Sequence, residues 1–104
     1  MSKKQMAFTM PPQEIQKRLE KLPYWQWNQE RDCIERLWRA SSFAIVLQSI
    51  VEIGEVAQKL NHHPEWWNSY SQLNIRLRTN DCNGISTLDF DMAEVIEAII
   101  QKHH

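Results

Sequence analysis

The sequence predicts an α+β fold: a four-stranded antiparallel sheet with three helices on one face, in the order α-β-β-α-β-β-α. Three observations carry the prediction. Two stretches, from Phe43 to Leu60 and from Met92 to Ile100, repeat apolar residues at helical spacing. Two others alternate apolar with polar residues, at Trp25 and Trp27 and again at Leu73, Ile75 and Leu77. The strand candidates come in two pairs joined by short polar turns. Sheets built from such hairpins are antiparallel, and they commonly leave one face for helices and the other for water or association.

Each element follows from local chemistry. Residues 1–9 read as a loose arm ahead of Pro11 and Pro12, and proline suits a first helical turn because its missing N–H has no partner to lose there. Ile15, Leu19 and Leu22 then mark one helical face, and Pro23 ends the helix. From Tyr24 the period falls to two. Gln29 to Asp32 is a polar turn, and Cys33 to Arg39 is a second strand, with Ile34, Arg36 and Trp38 on one face and Cys33, Glu35 and Leu37 on the other. Ser41 and Ser42 offer an N-cap to the long helix, whose apolar stripe is Phe43, Val46, Leu47, Ile50, Ile53, Ala57 and Leu60. Gly54 weakens that helix, and close packing against another element would explain it.

Trp66 to Tyr70 is a short strand and Leu73 to Arg78 its partner, followed by a turn through Asn80, Asp81, Cys82, Asn83 and Gly84. Ser86 and Asp89 form a capping-box pattern with Asp in place of Glu. The last helix buries Met92, Val95, Ile96, Ile99 and Ile100, turns Glu94 and Glu97 away, and ends near Lys102, leaving His103 and His104 as a frayed tail.

A chain of 104 residues is expected to form one domain. A formal net charge of −1 argues against indiscriminate nucleic-acid binding, which needs a basic surplus. Two cysteines, Cys33 and Cys82, without ligand spacing argue against a disulfide framework or a structural zinc. No apolar run suits a secretory leader or a membrane span, so a cytoplasmic protein with reduced thiols is expected.

The stretch Asn61-His62-His63-Pro64-Glu65-Trp66-Trp67-Asn68-Ser69-Tyr70 holds the functional signal. Pro64 disfavours helix in the residue before it, so the long helix must end at or before His63, with both imidazoles at its C-terminus. Imidazole gives or takes a proton near neutral pH, its ordinary pKa being about 6.5, and neighbouring aromatics supply flat walls. Most such turns are ordinary surface turns and most aromatics are core, so the spacing alone does not fix a role.

Lys59-Leu60-Asn61-His62-His63-Pro64-Glu65-Trp66, followed by Tyr70, Cys82, Gly84, Ser86 and Asp89, resembles the pterin-4a-carbinolamine dehydratase family over about the last four-fifths of the chain. Upstream, Trp25, Arg31-Asp32, Ile34 and Phe43 fall where that family has similar residues. The resemblance implies dehydration of a 4a-hydroxytetrahydropterin to quinonoid dihydropterin, with no metal or organic cofactor and with a homodimer or homotetramer as the working form. It implies His62 and His63 as the catalytic pair sharing acid and base roles, and Trp66, Asn80, Cys82 and Asp89 as substrate-contacting candidates. Each of these four also has a plainer role: core or interface for Trp66, a positioning amide for Asn80, a small buried apolar group for Cys82, a helix cap for Asp89.

Two positions depart from the family pattern. Asn80 stands where a third histidine is usual, and it cannot transfer a proton at accessible pH. Gln58 stands where an acidic residue is usual, four residues before His62 and so on its helical face, and an amide brings no charge to that ring. A lapsed site on an intact fold suits a second reading, a non-catalytic assembly factor with a client such as RuBisCO. Two further readings are weaker. Arg36, Trp38, Arg76 and Arg78 on an open sheet face would hold single-stranded nucleic acid. His62, His63, His103 and His104 would have to converge to hold a metal.

Overall fold

The structure is a computed structural model that describes residues 8–103. Three helices, α1 (Pro12–Leu19), α2 (Phe43–Leu60) and α3 (Thr87–Lys102), accompany four strands, β1 (Trp25–Asn28), β2 (Cys33–Arg39), β3 (Glu65–Ser69) and β4 (Gln72–Leu77). A short 3-10 turn spans Asn80–Cys82. The sheet runs β1-β2-β4-β3 and every neighbouring pair is antiparallel. The two hairpins meet through β2 and β4, where Ile34 lies opposite Leu77 and Trp38 opposite Leu73. The expected order and sheet are both present.

The alternation in β4 is the cleanest link from sequence to burial. Leu73, Ile75 and Leu77 are buried on the helix-covered face, as are Ile34 and Trp38 of β2. Val46, Ile53 and Ala57 of α2 and Phe90, Met92, Ala93, Ile96 and Ile100 of α3 complete the core. Ser42 caps α2, its side chain accepting from Ile45 N–H at 3.2 Å.

Several expectations need correction. The α2 stripe is narrower than its apolar content: Val46, Ile53 and Ala57 are buried, but Phe43, Leu47 and Leu60 are 41–52% exposed. Eighteen residues at 100° each carry apolar groups round more of the cylinder than one neighbour covers. Nothing lies within 4 Å of a Cβ built on Gly54, so no element of the described chain packs on that glycine. Val95 sits at the rim of its stripe, 37% exposed. The first helix stops at Leu19, and Leu22 reaches the core from the following turn.

The larger correction concerns Arg36 and Glu97. The sequence pattern turns Glu97 away and puts Arg36 on an open face. In the structure Arg36 lies on the covered side of β2 and meets Glu97 of α3, Nε donating to Oε1 at 2.9 Å and a terminal nitrogen to Oε2 at 3.1 Å. Trp25 Nε1 donates to the same Oε1 at 2.8 Å, and the guanidinium sits 4.7 Å from the Tyr24 ring centroid. Burial pushes the Glu97 carboxyl up. Hydrogen bonds from Arg36, Gln101 and Trp25 outweigh it and hold the group below its ordinary value. A charged pair that satisfies itself can sit beneath a helix, which periodicity alone does not reveal.

The ends of the described chain are also tied. Thr9 Oγ1 donates to the Cys82 carbonyl at 3.1 Å, and Met10 N–H to the Ile85 carbonyl at 2.8 Å, while residues 1–7 of the expected arm lie outside the described residues. His103 is no frayed tail: it lies against Glu52 of α2, and Lys102 Nζ is 2.5 Å from that carboxylate. Both hydrogen bonds draw Glu52 below the ordinary carboxylate range. His104 lies outside the described residues.

Candidate active site

The C-terminus of α2 sets the site. The helix stops not at proline but at Asn61, which adopts the left-handed conformation with φ 52° and ψ 42°. Asn61 N–H donates to the Gln58 carbonyl at 3.3 Å and His62 N–H to the Ala57 carbonyl at 3.1 Å, the double closure of a Schellman turn. Asparagine tolerates this conformation better than other non-glycine residues. The left-handed residue swings the chain so that the two following imidazoles part company.

His62 turns inward. Its Nε2 lies 2.7 Å from Oδ1 of Asp89, with the ring 13% exposed and the carboxylate fully buried. An ionised carboxylate only accepts, so His62 Nε2 carries the hydrogen. The other oxygen of Asp89 takes Ser86 N–H at 2.9 Å and the Thr79 hydroxyl at 2.8 Å. With its hydrogen committed to Asp89, Thr79 is left to accept from the Ser86 hydroxyl at 2.7 Å. The capping box read from Ser86 and Asp89 is therefore present, and the same carboxylate also orients His62. Being fully buried, Asp89 has no exposed surface to offer a substrate.

His63 turns outward. Its Nε2 lies 2.8 Å from Oε1 of Gln58, an amide oxygen that accepts, which leaves Nδ1 as the second ring nitrogen. This corrects the expected pairing: Gln58 serves His63, not His62, because the chain has left the helix by residue 61 and helical spacing no longer applies.

A cavity of about 300 Å³ opens beside His63, where β3 begins and β4 ends. His63, Pro64 and Asn80 line it, with the thiol of Cys33. Burial, reinforced by the carboxylate of Glu35, pushes that thiol up to about 11, so it stays protonated at neutral pH. The charged wall is Arg31, Arg76 and Arg78 against Glu65. The volume lies at the small end for ligand pockets and suits a compact ring system.

The remaining sequence-predicted residues are placed elsewhere. Trp66 packs against the core, on the side of β3 away from the cavity. Cys82 sits in the turn beside Asn80, its thiol 3.7 Å from the carbonyls of Thr79 and Gly84, and is not on the cavity wall. Tyr70 occupies the turn at the far end of β3, 76% exposed. The four-residue nucleic-acid face is not a face: Arg36 and Trp38 are buried under the helices, while Arg76 and Arg78 line the cavity. The three described histidines of the metal reading do not converge: His62 faces Asp89, His63 faces Gln58 and His103 faces Glu52. Sequence patterns alone do not bring the Arg31 side chain and the Cys33 thiol beside His63; they stand at the start of β2, whose Ile34 lies opposite Leu77 at the end of β4.

Among the described residues no helix is long and apolar enough to cross a membrane. The family model for pterin 4 alpha carbinolamine dehydratase matches residues 9–99. A Burkholderia multivorans protein named "Putative pterin-4-alpha-carbinolamine dehydratase" is 34% identical over 94 residues, spanning 90% of this chain and 92% of its own. A Burkholderia orbicola protein of the same name is 35% identical over 92 residues, spanning 88% and 90%. A crystal structure described as a transcriptional coactivator/pterin dehydratase from Brucella melitensis superposes with a TM-score of 0.85 at 32% identity, over 88% of this chain and 97% of that one.

Proposed function

This chain belongs to the pterin 4 alpha carbinolamine dehydratase family, and we propose that it dehydrates a 4a-hydroxytetrahydropterin in the cavity beside His63. The observation that supports this most directly is the division of labour in the histidine doublet: one imidazole on the cavity wall, the other anchored by a buried carboxylate. The comparisons bring no support for an assembly factor, and no client protein is proposed.

The reaction breaks the C4a–O bond. The leaving hydroxyl takes a proton and departs as water, and a ring nitrogen gives up a proton as the quinonoid system forms. Protons on both sides balance, so the protein need only relay them. His63 is the group positioned to do so, because it meets the cavity with one nitrogen committed to Gln58 and the other uncommitted. Asn80 donates and accepts hydrogen bonds to the ring edge or to the departing water. His62 and Asp89 act from behind: they fix the turn from which His63 projects. We assign His62 as a positioning residue and Trp66 and Cys82 as structural.

The test is a dehydration assay with chemically generated 4a-carbinolamine. The wild type is expected to exceed the spontaneous rate, and His63→Ala to fall back to it. A wild-type rate equal to background would reject the reading. The homodimer or homotetramer that the family resemblance implies is read separately, by sedimentation.

A further inference from the structure

The charge on the cavity wall is not needed for the dehydration itself. Three guanidinium groups face it and one carboxylate, that of Glu65. Arg76 is already engaged: Nε donates to Glu35 Oε1 at 3.0 Å and the guanidinium lies 4.4 Å from the Trp67 ring centroid. Neither of the other two has an ion pair among the described residues. The Arg31 side chain has no hydrogen bond or ion pair among the described residues, although its backbone N–H is held by Asn28 Oδ1 at 3.1 Å. Arg78 gives a terminal nitrogen to Asn83 Oδ1 at 2.6 Å, but its Nε is buried without a partner.

A buried guanidinium N–H with no acceptor is costly, and it is relieved when an acceptor enters. Guanidinium forks match the paired oxygens of carboxylates and phosphates. The Cys33 thiol adds no negative charge here, and Asn80 is neutral. The local field is therefore that of an anion site beside a proton-transfer group.

We infer that the substrate is a pterin whose side chain carries an anionic group, a phosphate or a carboxylate, held by Arg31 and Arg78 while the bicycle lies against His63 and Asn80. This rests on the dehydratase reading and narrows its substrate class, away from a neutral polyol side chain.

The test compares binding of three unreactive probes by titration calorimetry: 6-hydroxymethyl-7,8-dihydropterin, its phosphate ester, and dihydrofolate, whose glutamyl arm supplies carboxylates. Inorganic phosphate serves as competitor. At low salt an anionic probe is expected to bind at least about tenfold tighter than the neutral one, with an advantage that shrinks as salt screens it. The phosphate and glutamyl arms tell the two anions apart. In Arg31→Gln and in Arg78→Gln the ratio of anionic to neutral affinity is expected to fall towards one. Arg31 is exposed, so its variant keeps the test alive should the half-buried Arg78 variant fold poorly.

Equal affinities in the wild type would overturn the inference, as would a preference that survives both variants. So would inorganic phosphate displacing the ester as well as the ester displaces itself, since the bicycle would then contribute nothing. Dehydration without any charge preference would remove this inference alone. Absence of all pterin binding would remove the dehydratase reading with it.

Discussion

His62 and Asp89, 27 positions apart in the chain, meet across 2.7 Å, and the carboxylate that receives the imidazole also caps the helix it belongs to. One oxygen serves the ring and the other serves Ser86 N–H and the Thr79 hydroxyl. Local helix stability and the shape of the histidine turn thus depend on a single side chain. A substitution there must be read in two assays.

Asp89→Asn keeps the shape and removes the charge. Loss of the negative charge from the first turn of α3 is expected to cost about 1 kcal/mol, read by urea denaturation. Dehydration is expected to fall by roughly ten- to a hundredfold, because one face of the amide now offers donors where His62 also donates. Full activity in a correctly folded Asp89→Asn protein would separate His62 from the reaction.

Asn80→His restores a titrating group to the cavity wall opposite no other imidazole than His63. A second proton-transfer group is expected to raise the dehydration rate by about tenfold or more, with a pH profile that gains a limb near the ordinary histidine range. An unchanged rate would show that the reacting end of the pterin lies away from the 3-10 turn.

The Arg36–Glu97 pair predicts an acid-limb signature. Glu97 is held below its ordinary value of 4.5 in the folded protein. Its contribution is therefore complete above that value and is lost as pH falls through the lower folded pKa. Arg36→Met leaves a half-buried carboxylate without its counter-charge, though still bonded by Trp25 and Gln101, and is expected to cost roughly 3 kcal/mol at pH 7. The gap to wild type should narrow as pH drops below 4.5, measured by urea denaturation across that range. A gap independent of pH would mean that packing, not charge, holds α3 to β2.

Gly54→Ala should strengthen α2. No atom of the described chain opposes the added methyl group, and alanine is favoured over glycine in a helix by about 1 kcal/mol. A rise of several degrees in Tm at micromolar protein is the expected outcome. A fall would mean that something outside this chain lies on the bare backbone.

The sheet was legible because its code is local. Leu73, Ile75 and Leu77 announce one buried face by spacing alone, and Ser42 and Ser86 announce caps by position. The site was legible only as a motif. That His62 and His63 serve different partners depends on the left-handed turn at Asn61, and no periodicity encodes it. The place of Glu97 is not legible in its helix, because an ion pair is a relation between β2 and α3, whereas a helical wheel sees one element at a time. Leu47 stays exposed because apolarity states a preference for burial without supplying a neighbour.

Thr9 and Met10 hold the turn that follows β4, through the carbonyls of Cys82 and Ile85. A methyl group on Gly84 would come within 3.4 Å of Thr9 and 2.9 Å of Asp32, so that corner has no slack. The segment at Thr9 and Met10 is thus a brace for the turn bearing Asn80. Recombinant versions trimmed past residue 10 would be altered reagents, in which a change of affinity would report the trimming and not the ligand.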